Sequence, residues 1–252
     1  MPANGTALAL SGVTKRFGGL VGVDNVTIDL ESHRLNAIIG PNGAGKTTLF
    51  NLITGELRAD SGRATFDGRD ILGLKPHQVV RCGISRTLQI KSVFGGLSVM
   101  DNVRIAVLTH ERVMAPFRPA LSFRVVTART NELLEEVGLS AYRDELAATL
   151  SYGDVALLEM AIALAAEPKL LLLDEPVCGM GPQETERTVV KIRHISQRID
   201  VVLIEHDMEV VFDLADFIMV MAQGAVLATG TAAEISADPR IQDVYLGSPE
   251  DD

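Results

Sequence analysis

Residues Gly40 to Thr48 read GPNGAGKTT, a glycine-rich run closed by a lysine and two hydroxyls. The spacing G-x-x-x-x-G-K-[ST] suits a loop that cradles a phosphate chain. Gly40, Gly43 and Gly45 let the backbone fold tightly enough for successive N–H groups to face the phosphate oxygens. Asn42, Gly43, Ala44, Gly45, Lys46, Thr47 and Thr48 are therefore the residues expected to hold nucleotide. Lys46 is expected to reach the β- and γ-phosphates, and the Thr47 hydroxyl to enter the shell of a Mg²⁺ ion. The chemistry so described is binding of a nucleoside triphosphate, with hydrolysis the expected outcome.

A second constellation bears on the fate of the bound nucleotide. Leu170 to Pro176 reads LLLLDEP, an apolar run ending in two acids. If the run is a strand, Asp174 stands at its carboxyl end, where an α/β sheet receives ligands. Asp174 is then suited to hold Mg²⁺ and its waters. Glu175, one residue farther on, is placed to orient and deprotonate an attacking water.

These groups need a frame, and the apolar patterning supplies one. Leu35 to Ile39 reads as the strand before the phosphate loop, and Thr47 to Leu57 as the helix after it. That helix would add its orphan N–H groups and its dipole to the anion site. Val26 to Leu30 alternates, and Arg63 to Ile71 carries an Asp67-Gly68 turn, so the first part predicts an antiparallel sheet. Gly83 to Ile90 supplies a further strand. From Leu97 to Leu150 the pattern turns helical. Ser98 and Asp101 make a capping-box-like start, Pro116 and Pro119 a break, and Arg124 to Val137 a helix ending at Gly138. The helix Val155 to Glu167 comes next, and Leu170 to Leu173 and Val201 to Ile204 read as strands buried on both faces of a parallel sheet. Phe217 to Thr229 predicts a hairpin turning at Gln223-Gly224, and Thr231 with Glu234 a capping box.

Composition bounds the class. The chain has 252 residues, 47% of them apolar, enough for a sizeable core. Charge interrupts every long apolar run, and MPANGTALAL lacks the basic start and apolar core of a signal peptide, so a cytoplasmic protein is expected. Its two cysteines, Cys82 and Cys178, have neither metal-ligand nor redox spacing. A net charge of −10 argues against nonspecific binding to nucleic acid or anionic lipid.

On this series of motifs the chain resembles the ATP-binding cassette ATPases. Leu150 to Asp154, LSYGD, is similar to that family's signature sequence and precedes the Asp174 strand by one helix. Gln89, in RTLQI, is similar to the family's glutamine loop, His206, in LIEHD, to its switch histidine, and Phe17, in TKRFGG, to the aromatic that stacks on adenine. The resemblance implies a P-loop α/β core with a mostly parallel sheet, an antiparallel β layer and an inserted helical subdomain. It sets the core at residues 1–93 and 158–252 and the helical part at 94–157. It implies catalytic roles for Glu175, His206 and Gln89, Mg²⁺ contacts from Thr47, Gln89 and Asp174, and nucleotide contacts from Phe17, Ser151 and Gly153. Ser151 and Gly153 would serve the nucleotide of a second ATPase subunit, identical or paralogous, so that two chains close around two ATP molecules.

Several segments are similar to one branch, the ATPase subunits of branched-chain amino-acid uptake systems: FGGLVGVDNV, TTLFNLITGEL, SVFGGLSVMDNV, LIEHDMEVV and the terminal VYLG. Urea and aromatic-acid importers resemble it closely. The resemblance implies permease subunits as partners, a periplasmic binding protein met indirectly, no nucleic acid, and a place on the inner face of the plasma membrane. A non-transport member of the family is the rival reading, disfavoured by a single phosphate loop and the lack of sustained heptads. Two positions depart from the family pattern: the signature continues Asp154-Val155-Ala156-Leu157 rather than with Gln or Glu and basic residues, and Gly181 stands where Asp or Asn is usual. The other histidines, His33, His77, His110 and His194, read as surface residues.

Overall fold

The computed structural model describes residues 6–32, 34–87, 93–111 and 124–241. Gln89, His33, the Pro116 and Pro119 break and the terminal VYLG lie outside the described residues. The alternation of Val26 to Leu30 belongs to a long hairpin, β1 (Thr6–Phe17) and β2 (Leu20–Glu31), which turns Val23, Val26, Ile28 and Leu30 inward. The next apolar run is β3 (Leu35–Ile39), buried at every residue. After the phosphate loop comes α1 (Lys46–Ile53), shorter than the Thr47 to Leu57 reading because Gly55, at φ +76°, turns the chain away. The Asp67-Gly68 turn joins β4 (Ser61–Phe66) to β5 (Arg69–Asp70), with positive φ at both turn residues. These strands complete an antiparallel sheet in the order β2-β1-β4-β5.

Then α2 (Pro76–Arg81) leads to β6 (Ile84–Arg86), a shorter strand than the Gly83 to Ile90 run. Ser98 caps α3 (Val99–His110) by accepting from the Asp101 N–H, as the pattern predicts. The helix α4 (Arg124–Val137) ends where expected, at Gly138. The helix α5 (Tyr152–Leu164) starts earlier than the Val155 reading, since the Ser151 side chain caps it at the Asp154 N–H. The remaining elements alternate: β7 (Leu170–Asp174), α6 (Pro182–Ser196), β8 (Asp200–Ile204), α7 (Met208–Leu214), β9 (Phe217–Ala222), β10 (Ala225–Gly230) and α8 (Ala232–Ala237). The hairpin turns at Gln223-Gly224 and Thr231 with Glu234 forms a capping box, both as predicted.

The second sheet runs β10-β9-β3-β8-β7-β6, with every pair parallel except β10 with β9. Its register sets the site. Ile204, the last residue of β8, lies opposite Ile38 on one side and Asp174 on the other. The carboxyl ends of β3, β7 and β8 therefore come level, and the segments that leave them share one edge. One face of this sheet packs with the antiparallel sheet around Phe50, Phe66, Leu49 and Ile38. The other packs with α3, α4, α5 and α6 around Leu157, Leu158, Leu171, Leu173 and Ile192.

Candidate nucleotide site

The loop after β3 is clamped from two sides. A Cβ on Gly40, whose φ is +151°, would stand 2.2 Å from the Met221 carbonyl oxygen at the end of β9. A Cβ on Gly45, at φ +98°, would stand 2.3 Å from the Gly22 carbonyl oxygen of β2. Glycine is thus required at both places by close backbone approach as well as by φ. Gly224 donates its N–H to the Ala44 carbonyl at 3.1 Å, and its own carbonyl accepts from Asp24 at 2.8 Å. The loop, the β9–β10 turn and β2 thereby hold one another, while Asn42 and Gly43 face solvent at the crest.

Inside the loop, the buried Lys46 Nζ donates to the Gly40 carbonyl at 2.7 Å and the Pro41 carbonyl at 3.1 Å. Burial pulls the ammonium pKa below its ordinary value, and the charges of Glu175 and then Asp174 oppose that pull. These carboxylates from the end of β7 are therefore electrostatic neighbours of the loop lysine. The chain brings together what the two motifs proposed separately.

Asp174 is buried, and burial raises its carboxyl pKa, countered chiefly by Arg86. Arg86 Nη2 donates to Asp174 Oδ2 at 2.6 Å and Nη1 to Asn51 Oδ1 of α1 at 2.5 Å, with the guanidinium 5.5 Å from the Phe50 ring centre. The Thr87 hydroxyl accepts from the Asp174 N–H at 3.3 Å. Asp174 Oδ1 is buried and has no hydrogen-bond partner among the described residues. A buried acceptor left free beside the phosphate loop fits the edge of a Mg²⁺ shell, where one or two protein oxygens join waters and phosphate oxygens. Thr47, in the first turn of α1, is the companion oxygen from the loop.

Glu175 has φ of +51°, a left-handed conformation that a non-glycine residue adopts at a cost. Its N–H donates to the Ile204 carbonyl at 2.9 Å, which ties it to the end of β8. The next residues after β8 are Glu205, fully buried, and His206, exposed at 59%. Glu205 Oε1 accepts from the Val177 N–H at 3.1 Å and Oε2 from the His206 N–H at 3.1 Å. Asp207 caps α7, accepting from the N–H groups of Glu209 and Val210. His206 is held from both sides along the backbone, and its imidazole, with Nδ1 3.8 Å from Glu205 Oε2, is exposed enough to meet a ligand.

Phe17 ends β1 half exposed, its ring lying where a Cβ on Gly22 would come within 2.8 Å. The same Cβ would be 3.5 Å from the Thr48 side chain, which puts the aromatic beside the end of the phosphate loop. Ser151 and Gly153 are elsewhere, at the N-terminus of α5. There the Gly153 N–H donates to Glu184 Oε1 at 3.4 Å and the Gly181 N–H to Glu184 Oε2 at 3.3 Å. Hydrogen bonds from the Ser151 side chain, then Gly181, hold the exposed Glu184 carboxyl below its ordinary pKa. Asp154 pairs with Arg187 of α6, which explains an acid at that place in the signature. Gly181 precedes α6 as its N-cap residue. His77, His110 and His194 are on the surface, as read from the sequence.

The sequence model of the family described as ABC transporter matches residues 23–178. The chain belongs to the ABC transporter family. It is similar to BraF, a high-affinity branched-chain amino acid transport ATP-binding protein of Pseudomonas aeruginosa, at 38% identity over 95% of this chain and 97% of the relative. The corresponding protein LivG of Escherichia coli K12 is 35% identical over 95% of this chain and 97% of its own length. Among solved structures, the ADP conformation of MJ1267, an ATP-binding cassette of an ABC transporter, matches with a TM-score of 0.85 at 29% identity, covering 96% of this chain and 99% of that one. The expected fold and an ATP-binding cassette ATPase are thereby established for this chain.

Three residues of this ABC transporter site escaped the sequence reading: Arg86, Glu205 and Glu184. Each had a local signal. Arg86 is the cation that ends a short strand and opens RTLQI, Glu205 an acid inside the buried run that leads to His206, and Glu184 an acid three residues after Gly181 at a helix start. What no signal gave was their partners, which lie 88, 28 and 31 residues away along the chain, respectively.

Proposed function

We propose that this chain is the ATP-hydrolysing subunit of an importer of branched-chain amino acids, working as a dimer under permease subunits at the inner face of the plasma membrane. The observation that carries the substrate is the full-length likeness to the Pseudomonas and Escherichia relatives, both named for high-affinity branched-chain amino acid transport. Each residue of the site then has a part in the chemistry. Loop N–H groups and Lys46 bind the phosphates, and Phe17 stacks on the base. Thr47 and Asp174 would hold Mg²⁺, with Gln89 the third contact; when bound, the ion neutralises charge on the phosphate oxygens. Glu175 takes the proton of the attacking water as its oxygen bonds to the γ-phosphorus, and the bond to the leaving ADP oxygen breaks with its electron pair. His206 contacts the γ-phosphate.

Ser151 and Gly153 complete the site of the opposing protomer, so two chains close head to tail. Only ATP makes contacts that distinguish the closed state, and its hydrolysis lets the pair reopen. Residues 94–157 form the moving helical subdomain against the core of 1–93 and 158–252. A groove of about 1550 Å³ between α2, α3 and the end of α5, lined by Val80, Phe94, Asn102 and Ile105, supports permease docking there. Phe94 at its rim is 58% exposed, an apolar surface that suits a membrane partner's cytoplasmic segment. No helix among the described residues is long and apolar enough to cross a membrane, so that partner must supply the path.

Reconstitution with the neighbouring permease and binding-protein subunits tests the proposal, with ATP-dependent uptake of radiolabelled leucine measured beside urea and an aromatic acid. Leucine uptake is expected. Uptake of urea or the aromatic acid alone would replace the substrate; no ATP-driven uptake of any solute, with permeases bound, would leave a non-transport ATPase.

A further inference from the structure

Among the described residues, Glu205 is the fully buried carboxylate of the site to which the reaction above gives no role. It has 0% exposure; the His206 Nδ1 stands 3.8 Å from its Oε2, and among the described residues no Lys or Arg pairs with it. Burial pushes its carboxyl pKa up, against hydrogen bonds from the backbone of Val177 and His206, the charge of the His206 imidazole and the Asp207 N–H. A buried acid without a strong countercharge costs stability wherever a neutral side chain of the same size could stand. Its presence therefore needs a reason other than packing.

The three donors supply that reason. Val177 stands two residues after Glu175, whereas His206 and Asp207 belong to the segment after β8. A carboxylate is acceptor-only and can satisfy all of them at once; a glutamine of the same shape would turn an NH₂ toward one of these N–H groups. Two bonds thus cross between the segments, Glu175 N–H to the Ile204 carbonyl and Val177 N–H to Glu205 Oε1. Together they bracket the positive-φ conformation of Glu175, which relaxes unless its surroundings hold it.

We infer that Glu205 is a positioning residue for ATP hydrolysis: its buried carboxylate staples the loop after Glu175 to the segment that carries His206, and so sets the spacing of those two side chains. The inference rests on the hydrolytic reading of the site. Wild-type turnover is therefore measured first, and its absence would overturn that reading itself.

With wild-type turnover in hand, Glu205→Gln is the test. It is expected to lower kcat by about tenfold or more, because displacing a reacting group by a fraction of an ångström carries that order of loss. The KM for ATP should stay within about twofold, which separates a positioning role from a binding one. The thermal midpoint should change little, since removing a buried charge offsets the amide turned toward an N–H donor. In the His206→Ala background the same change should lower kcat by no more than about twofold further, as residues acting through one another are non-additive. Wild-type kcat in Glu205→Gln, an unfolded or markedly less stable variant, or losses that multiply in the double variant would each overturn the inference.

Discussion

Arg86 donates through Nη2 to Asp174 Oδ2 at 2.6 Å, with the two side chains 7% and 0% exposed. The pair joins the end of β6 to the end of β7, and the same guanidinium reaches Asn51 on the helix after the phosphate loop. One cation therefore braces both halves of the site.

Removing it should be costly. Arg86→Ala leaves a buried carboxylate without its partner, a change worth about 3–5 kcal/mol of stability. Asp174's carboxyl pKa is already raised by burial, so in the folded state its stabilising contribution is present at acid pH and lost as pH rises through the raised value. Arg86 limits that loss. The urea-unfolding deficit of Arg86→Ala is thus expected to be larger near pH 7.5 than near pH 5; equal deficits would place the energy in the Phe50 and Asn51 contacts instead.

Gly40→Ala tests the clamp on the loop. The new methyl would lie 2.2 Å from the Met221 carbonyl oxygen, which belongs to backbone and cannot swing aside. A loss of about 1–3 kcal/mol in stability is expected from the overpacking, and weaker ATP binding because the loop must shift. Calorimetric unfolding and nucleotide titration of one variant check both.

Glu175→Gln and Lys46→Ala should separate chemistry from binding. The first keeps the charge pattern on ATP and removes the base, so turnover should fall about 10²–10⁴-fold while ATP affinity survives. The second removes the cation whose charge environment Glu175 and Asp174 shape, so affinity itself should drop. Steady-state hydrolysis and fluorescent-nucleotide titration distinguish them; near-normal turnover in Glu175→Gln would move the base elsewhere.

Glu184 holds the Gly153 N–H within its own chain, together with the Ser151 side chain. In the proposed mechanism, closure around ATP would ask those donors to turn to a γ-phosphate, so the two anions would compete for them. In a Glu175→Gln background, Glu184→Ala should form the ATP-bound dimer at lower ATP than its parent, read by light scattering. It should also cost α6 about 1 kcal/mol at its start, where Glu184 accepts from Gly181. A dimer that forms less readily would show that Glu184 shapes the closing surface.

Sequence by itself determined the phosphate loop, the acid pair and the elements around them, because each depends on neighbours in the chain. GPNGAGKTT, LLLLDEP, the Gln223-Gly224 turn and the Ser98 and Thr231 caps are local statements, and the structure agrees with them. Helix ends were less legible: α1 stops at Ile53 where the apolar run continued, since Gly55 turns the backbone against the Leu74 carbonyl. Only the tertiary structure decided which charges meet. That Arg86 faces Asp174, that Glu205 bridges the Glu175 loop to His206, and that Glu184 occupies the signature donors all result from strand register and from α6 packing on α5. In each of these cases the partner arrives from another element, and that arrival is set by the assembled fold rather than by spacing along the chain.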